Sequence, residues 1–347
     1  MQKSVSSSLF SRLAKAFFTN RILLAYLKGK VKTLKFKNSL LLGIFSSLSG
    51  VLIALQSRIN GELSTQIGDS LSAAFVSFAT GLLFVSLISA FRKDVRTGFG
   101  AIIKAARVKA LPSWRLGAGV LGAAFVAVQT FVVPIAGVAL FSVAALAGQT
   151  VISLWVDHQG VAGGVKSVIS KKRVLAALTT VVAVAISVWD RFAMSNFSIL
   201  AIGLAVLAGG WVGVQRALNG QINSHSNKSF ATSQLNFITG TSFLILLLIV
   251  RAIISDEALL SFATGPWWMY LGGSLGVLYI AFSALAVQYL GVLDFTLLSV
   301  GGMLLGALFL DLIAPTTGTS ISPYLLAGIL LAYIGVIVNG QSRFSRK

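Results

Sequence analysis

Two pairs of amide side chains are the first candidates for chemistry in this sequence. Gln56 and Asn60 lie four residues apart, and Gln215 and Asn219 repeat that spacing later in the chain. Side chains four residues apart share one face of a helix. An amide in an apolar environment is unfavourable unless it is paired, so it usually faces protein or a water-filled cavity. We interpret the two pairs as polar contacts at the two mouths of a solute pathway.

Each asparagine of these pairs is followed by a glycine, Gly61 or Gly220. An Asn-Gly step is typical of a helix end, where the glycine adopts the left-handed conformation. We therefore expect Asn60 and Asn219 to act mainly as helix ends. The two glutamines, one turn deeper, are the better candidates for the pathway.

Five further candidates lie inside apolar stretches. Gln129 and Gln149 have no identical counterpart in the second half of the chain. Each is either a pathway contact or a plain interhelical hydrogen bond, which contributes about 0.6 to 2 kcal/mol in a membrane. Trp211, Asn236 and Tyr279 are weaker candidates from the second half. Aromatic residues in membrane helices more often pack or anchor the helix than bind a ligand.

The sequence lacks the residues that enzymes and cofactor sites require. It has no cysteine, only two histidines, and no glycine-rich phosphate loop followed by lysine. His158 and His225 fall in separate loops. We predict that the chain is not an enzyme and binds no metal and no cofactor.

All nine acids fall at the ends of apolar stretches or between them, and Asp294 is the best remaining candidate for proton coupling. We expect its contribution to be small.

Membrane helices are the elements that must carry these residues. The hydrophobic fraction is 56%, the charged fraction is 11% and the mean hydropathy is +0.88. A soluble protein of 347 residues needs more charges to cover its surface. Apolar stretches of the length that crosses ~30 Å of hydrocarbon occur at 39–56, 71–91, 116–133, 135–156, 174–189, 199–215, 230–250, 267–287, 290–313 and 323–338.

The basic residues predict the orientation of these stretches. With both termini inside, 25 of the 28 lysines and arginines fall in inside segments, Arg216 and Lys228 among them. Only Arg58, Arg191 and Arg251 fall outside. This bias strongly favours cytoplasmic termini. It also accounts for the net charge of +19 without a nucleic-acid partner.

The chain contains an internal repeat. Residues 56–61 recur as 215–220 and residues 78–81 recur as 237–240, both at an offset of 159. Farther along, the offset settles at 154, where Gly119, Gly148 and Asp157 match Gly273, Gly302 and Asp311. Each copy holds five apolar stretches, and five is odd. The second copy must therefore enter the membrane upside down relative to the first.

These observations predict an all-α integral membrane protein with ten transmembrane helices in a 5+5 inverted-topology repeat. We place a basic segment at 1–38, the repeats at 39–190 and 199–340, and a basic tail at 341–347. Inverted repeats recur among transporters, with the binding site near the midplane between the copies. The motifs Gly209-x-x-x-Gly213, Gly272-x-x-x-Gly276 and Gly302-x-x-x-Gly306 predict close helix packing.

The repeated framework resembles the YdcZ-type inner-membrane exporters of the drug/metabolite transporter superfamily. The similarity rests on three segments: Gly43 through Gln56-x-x-x-Asn60-Gly61 to Phe78-x-x-Gly81, Gly148-Gln149 to Asp157-His158, and Gln215-x-x-x-Asn219-Gly220 through Gly291 to Asp311. It covers roughly residues 40–340 and corresponds to a fused tandem form. The resemblance implies transport, with the first four helices of each unit around a cavity, and leaves the substrate open.

We predict a secondary or facilitated transporter that exports small organic metabolites by alternating access across the bacterial inner membrane. A lipid or lipid-linked precursor flippase is an alternative and would need a groove open sideways to the bilayer. A non-transporting assembly or regulatory protein is another, and its central space would be filled by side chains. The expected partners are the solute and the bilayer, and the chain is a monomer or a homodimer.

The N-terminal segment, residues 1–38, holds nine basic residues and no acid. Its short apolar periodicity fits an interfacial helix on anionic lipid. An organellar transit peptide, a mobile basic tail and an upstream start codon are the alternatives.

Overall fold

A computed structural model describes residues 39–160, 169–191, 198–255, 258–262, 264–290, 292–314 and 321–344. The basic segment 1–38 lies outside these residues. The described part of the chain is helical and contains no β-strand. Its α-helices are α1 (Ser39–Ile67), α2 (Ser70–Phe91), α3 (Lys93–Arg107), α4 (Ala118–Ala136), α5 (Val138–Gln159), α6 (Lys171–Ser187), α7 (Ile199–Ser226), α8 (Ser229–Ser255), α9 (Gly272–Leu290), α10 (Val292–Ile313) and α11 (Pro323–Phe344).

Within the described ranges, seven helices are long and apolar enough to cross a membrane, namely α1, α2, α4, α5, α7, α8 and α9. Within lipid, a helix satisfies its own backbone hydrogen bonds, which explains why such apolar sequences fold this way. The helices α10 and α11 contain the shorter apolar segments Leu298–Ile313 and Pro323–Gly335, and α6 has 17 residues. Each of the ten apolar stretches in the sequence overlaps one of these ten helices.

The helices α1 and α7 continue for about three turns beyond the ends that the sequence suggested. Asn60 and Asn219 therefore lie inside helices, and the prediction that they end helices is wrong. The chain instead leaves α1 at Gly68 and α7 at Asn227, whose φ angles are 74° and 50°. The helices continue because buried apolar residues, such as Ile222, keep packing after the Asn-Gly step.

Gly61 and Gly220 serve close packing rather than helix termination. A Cβ atom on Gly220 would lie 3.0 Å from Cγ1 of Val287 in α9, and one on Gly61 would meet Val133 in α4. Val133 and Val287 are themselves related by the repeat offset of 154. The two copies therefore use the same glycine for the same contact.

The two halves of the chain interlock. Helix α1 packs most extensively on α10, and its repeat counterpart α7 packs most extensively on α5. A Cβ atom on Gly50 or Gly209 would overlap a backbone carbonyl oxygen of the facing helix. All six glycines of the predicted Gly-x-x-x-Gly motifs face another helix, although of these only Gly209 and Gly302 would overlap a backbone carbonyl oxygen, so their predicted packing role is confirmed. Helices α6 and α11 pack mainly on each other, away from the centre.

Two buried carboxylates join the halves at opposite helix ends. Asp157, near the end of α5, accepts the N–H of Val292 at the start of α10 at 3.2 Å. Asp311, near the end of α10, accepts the N–H of Ala139 at the start of α5 at 2.8 Å. A carboxylate is favourable at a helix N-terminus, where backbone N–H groups lack partners. Arg173 also pairs with Asp157, at 2.9 Å. The exchange is reciprocal, as a two-fold relation between the copies requires.

Ion pairs connect the turns at each end of the bundle. Asp69, in the turn between α1 and α2, accepts a hydrogen bond from Arg251 near the end of α8 at 2.8 Å. At the opposite end, Asp94 in α3 pairs with Lys228 at 3.8 Å. Burial alone would raise the pKa of Asp69, but hydrogen bonds from Ser72 and Arg251 and the positive charge of Arg251 hold it below its usual value.

The helix α3 itself, an amphipathic helix in the predicted inside segment, was not foreseen from the sequence.

Candidate functional site

A small cavity lies between the two halves of the chain. The space not filled by atoms, including the part open to the outside, is about 390 Å³, with α1, α2 and α4 on one side and α7, α8 and α9 on the other. All twelve lining residues are buried. They form six pairs related by the repeat offsets: Ile53 with Val212, Gln56 with Gln215, Phe78 with Phe237, Gly122 with Gly276, Phe125 with Tyr279, and Val126 with Ile280.

This pairing locates the cavity on a local pseudo-two-fold axis. A residue can meet its own counterpart only close to such an axis. Phe78 and Phe237 do so, with ring centroids 4.9 Å apart and an angle of 34° between the rings. Each ring also fills the space beside a glycine of the opposite copy, Gly240 or Gly81. Three helices of each copy line the site, and no described residue of α5 or α10 does so, whereas the resemblance implied four helices from each copy.

The predicted glutamines both face the cavity, but they are held differently. Gly276 leaves room for Gln56, because a Cβ atom there would lie 2.9 Å from the Nε2 atom of Gln56. Gly122 leaves the same room for Gln215. Nε2 of Gln215 donates to Oδ1 of Asn236 at 3.0 Å. Gln56 makes no hydrogen bond to the described residues, so its amide remains available to a solute.

A chain of amides fixes Gln215 in the second copy. Nδ2 of Asn236 donates to Oδ1 of Asn219 at 2.7 Å and to the carbonyl of Thr232 at 2.9 Å. Asn236, in α8, is therefore hydrogen-bonded to both Gln215 and Asn219 of α7. These residues were predicted as separate pathway contacts, and the fold brings them into one network.

The first copy uses a different network. Nδ2 of Asn60 donates to Oε1 of Gln129 at 2.9 Å, and Nε2 of Gln129 donates to Oγ of Ser57 at 2.7 Å. Both bonds join α4 to α1. The position equivalent to Gln129 in the second copy is Ser283. The sequence left open whether Gln129 is a pathway or a structural residue, and its geometry favours the structural role.

Gln149 and Trp211 are not among the described residues that line the cavity. Gln149 is fully buried in α5, and neither Nε2 nor Oε1 of its amide has a hydrogen-bond partner. Trp211 is partly buried and packs against the apolar core. Asp294 falls in α10, but its side chain lies outside the described residues.

Arg216 is the residue that the sequence argument misplaced. It was assigned to an inside loop, whereas α7 carries it to a position where its side chain is 1% exposed. Its Nε donates to the hydroxyl of Tyr279 at 2.6 Å, and Nη1 donates to Oγ1 of Thr296 at 2.7 Å. Ala217, Leu218 and Ile222, which share buried faces of the helix after Arg216, are the only sequence signal that could have extended the helix past it.

Comparisons with known proteins give the family. The family model described as "Putative inner membrane exporter, YdcZ" matches the chain twice, over residues 41–186 and 200–338. The chain belongs to this family. The two segments that match the YdcZ model correspond to the two halves of the chain that interlock around the cavity.

Other comparisons add less. No curated protein matches the sequence. One solved structure, titled "Crystal structure of protein", is 15% identical over 88% of this chain and 98% of its own, with a TM-score of 0.47. The family and the helical membrane fold together support a transporter of the inner membrane.

Proposed function

We propose that this YdcZ-family chain is a secondary or facilitated transporter that exports small organic metabolites by alternating access. In this proposal ten helices cross the membrane as two inverted repeats, 39–190 and 199–340, with both termini in the cytoplasm. The cavity on the pseudo-two-fold axis is the solute site.

One observation carries the proposal: the described residues that line the cavity all fall into repeat-related pairs. If the two copies rock about their shared axis, these twelve residues stay at the centre while the helix ends on either side open in turn. Such pseudosymmetric motion is the physical basis of alternating access in inverted-repeat carriers. Gln56 supplies an unpaired amide in this lining, and Phe78 and Phe237 supply apolar surface.

The two alternatives fit less well. A flippase needs a groove that opens sideways to lipid, whereas every residue that lines this cavity is buried. An assembly or regulatory protein has no need of unfilled central space beside an unpaired buried glutamine. We therefore retain export as the function.

The test compares metabolites released by cells that lack the protein with those from cells that overproduce it. We expect a small set of organic solutes to accumulate outside only on overproduction, and Gln56→Leu to reduce that release at least about fivefold at equal abundance. Gln66→Leu is the matched control, since Gln66 lies in the same helix but is exposed at its end. An unchanged profile on overproduction, or equal release by wild type and Gln56→Leu, contradicts the proposal.

A further inference from the structure

Arg216 places a positive charge directly behind the cavity. Tyr279, which accepts its Nε–H, is itself a lining residue. Arg216 lies ten residues before the end of α7, so it is about 15 Å from that end along the helix axis. The guanidinium carbon also lies 5.2 Å from the ring centroid of Phe295 and 5.7 Å from that of Tyr279.

All of these partners are neutral. No carboxylate among the described residues lies within 4.0 Å of the guanidinium, and Nη2 makes no hydrogen bond to them. Arginine keeps its proton under all ordinary conditions. A buried charge without a counter-charge is strongly unfavourable, and in membrane proteins such a residue usually marks a substrate pathway.

The first copy shows that the repeat folds without this cation. The positions equivalent to Arg216, Tyr279 and Thr296 are Ser57, Phe125 and Ser142. The surrounding helices pack in the same way in both halves. A structural requirement of the fold would apply to both copies, so the charge serves something that only one copy does.

The Tyr279 hydroxyl and the Gln149 amide each have hydrogen-bonding capacity that the described residues do not use. The Tyr279 hydroxyl accepts from Arg216, and its own proton has no acceptor among the described residues. The buried amide of Gln149 has no partner at either atom. Gln149 lies one turn before Ser153 in α5, and Oγ of Ser153 is 3.4 Å from Oγ1 of Thr296. The donor hydroxyl of Tyr279 thus contacts the cation directly, and the unpaired amide of Gln149 lies on the helix whose Ser153 neighbours Thr296, the other partner of Arg216.

We propose that the solute is a small organic anion, whose carboxylate is recognised by Arg216 and the Tyr279 hydroxyl. Its apolar body packs against the Phe78 and Phe237 pair in the cavity. This inference rests on the proposed function, because it names the class of solute for the same cavity. The anion supplies the counter-charge that the described protein residues do not.

The test measures ligand binding by the purified full-length protein in detergent, followed as a shift in Tm. Benzoate, benzyl alcohol and benzylamine share one apolar body and carry a negative, a neutral and a positive head group. We expect benzoate alone to raise Tm, by a few degrees at saturation. Arg216→Gln should weaken benzoate binding at least about tenfold. Lys104→Gln, which removes an exposed cation on α3, should bind benzoate normally.

Tyr279→Phe provides a second variant in case Arg216→Gln does not fold, since Phe125 already occupies the equivalent position of the first copy. It should weaken benzoate binding about tenfold, and each variant's shift is measured from its own Tm without ligand. Benzylamine binding, unchanged benzoate binding in either variant, or an equal shift with sodium chloride would overturn the inference. If the protein exports neutral metabolites and does not bind benzoate, this inference is wrong and the proposed function stands. If the protein binds benzoate but transports nothing, the proposed function is wrong.

Discussion

The two buried glutamines of the first copy, Gln129 and Gln149, should respond in opposite ways to the same substitution. Gln129 makes two side-chain hydrogen bonds between α4 and α1, at 2.9 Å and 2.7 Å. Interhelical hydrogen bonds in membranes contribute about 0.6 kcal/mol on average and about 1.7 kcal/mol at most. Gln129→Leu should therefore lower the free energy of unfolding by about 1 to 3 kcal/mol. It also leaves Nδ2 of Asn60 without its acceptor, which places the loss in the upper half of that range.

Gln149→Leu is the matched control, because it removes an equally buried amide that has no partner. Its repeat counterpart is Met303, so an apolar side chain already fills this position in the second copy. Replacing an unsatisfied polar group with an apolar one of similar size is close to neutral or stabilising. We expect a change between zero and a gain of about 1 kcal/mol in stability.

Unfolding in mixed micelles, with increasing SDS in a mild detergent, gives the two free energies when it is followed by circular dichroism and shown to be reversible. Wild-type stability for Gln129→Leu would mean that the bonds to Asn60 and Ser57 contribute nothing. If Gln149→Leu loses as much stability as Gln129→Leu, the change in side-chain volume and shape, not the loss of hydrogen bonds, accounts for the loss in both variants. Either result would refute the distinction drawn here between the two amides.

Three more predictions follow from symmetry, packing and charge. Cysteines at the repeat-equivalent exposed positions Thr65 and Ser224 should be labelled from opposite sides of the membrane, and labelling of both from one side would contradict the inverted repeat. Gly148→Ala should lower the free energy of unfolding by about 1 to 3 kcal/mol, because the new Cβ would overlap a carbonyl oxygen of α7. Gly203→Ala, whose Cβ meets open space, should leave stability unchanged, and equal Tm values for the two variants would disprove this. Asp69→Asn should lower Tm at pH 7. Since the folded pKa lies below the unfolded one, the difference should shrink once pH falls below about 4 and vanish only below the folded pKa, and a difference as large at pH 3 as at pH 7 would count against the ion pair.

The sequence determined the helical membrane fold and the division into two related halves. Apolar stretches of spanning length leave the backbone little choice but to form helices in lipid. The repeat offsets are visible without coordinates, and the resemblance to the YdcZ exporters followed from them and was confirmed by the family match. Glycine spacing was also sufficient to predict close packing, since a missing Cβ matters only where another backbone approaches.

Helix ends were harder to predict, because local signals compete with packing. The Asn-Gly steps at 60–61 and 219–220 have the local chemistry of a helix end, yet α1 and α7 run through them. The contacts of Gly61 with Val133 and Gly220 with Val287 come from residues far away in sequence. Burial on the continuing helix outweighed the local preference, and no window of sequence around either step contains that information.

Only the tertiary structure decided which polar residues meet. The same repeat produced Gln129 bonded to Asn60 in one copy and Asn236 bonded to Gln215 in the other. Arg216 was assigned to a loop by a rule that weighs positive charge near helix ends. That rule concerns where a charge is tolerated on average, whereas burial of this charge depends on Tyr279 and Thr296, which lie on two other helices. Contacts between helices are set by three-dimensional packing, and so the character of the site became apparent only when the two halves were seen together.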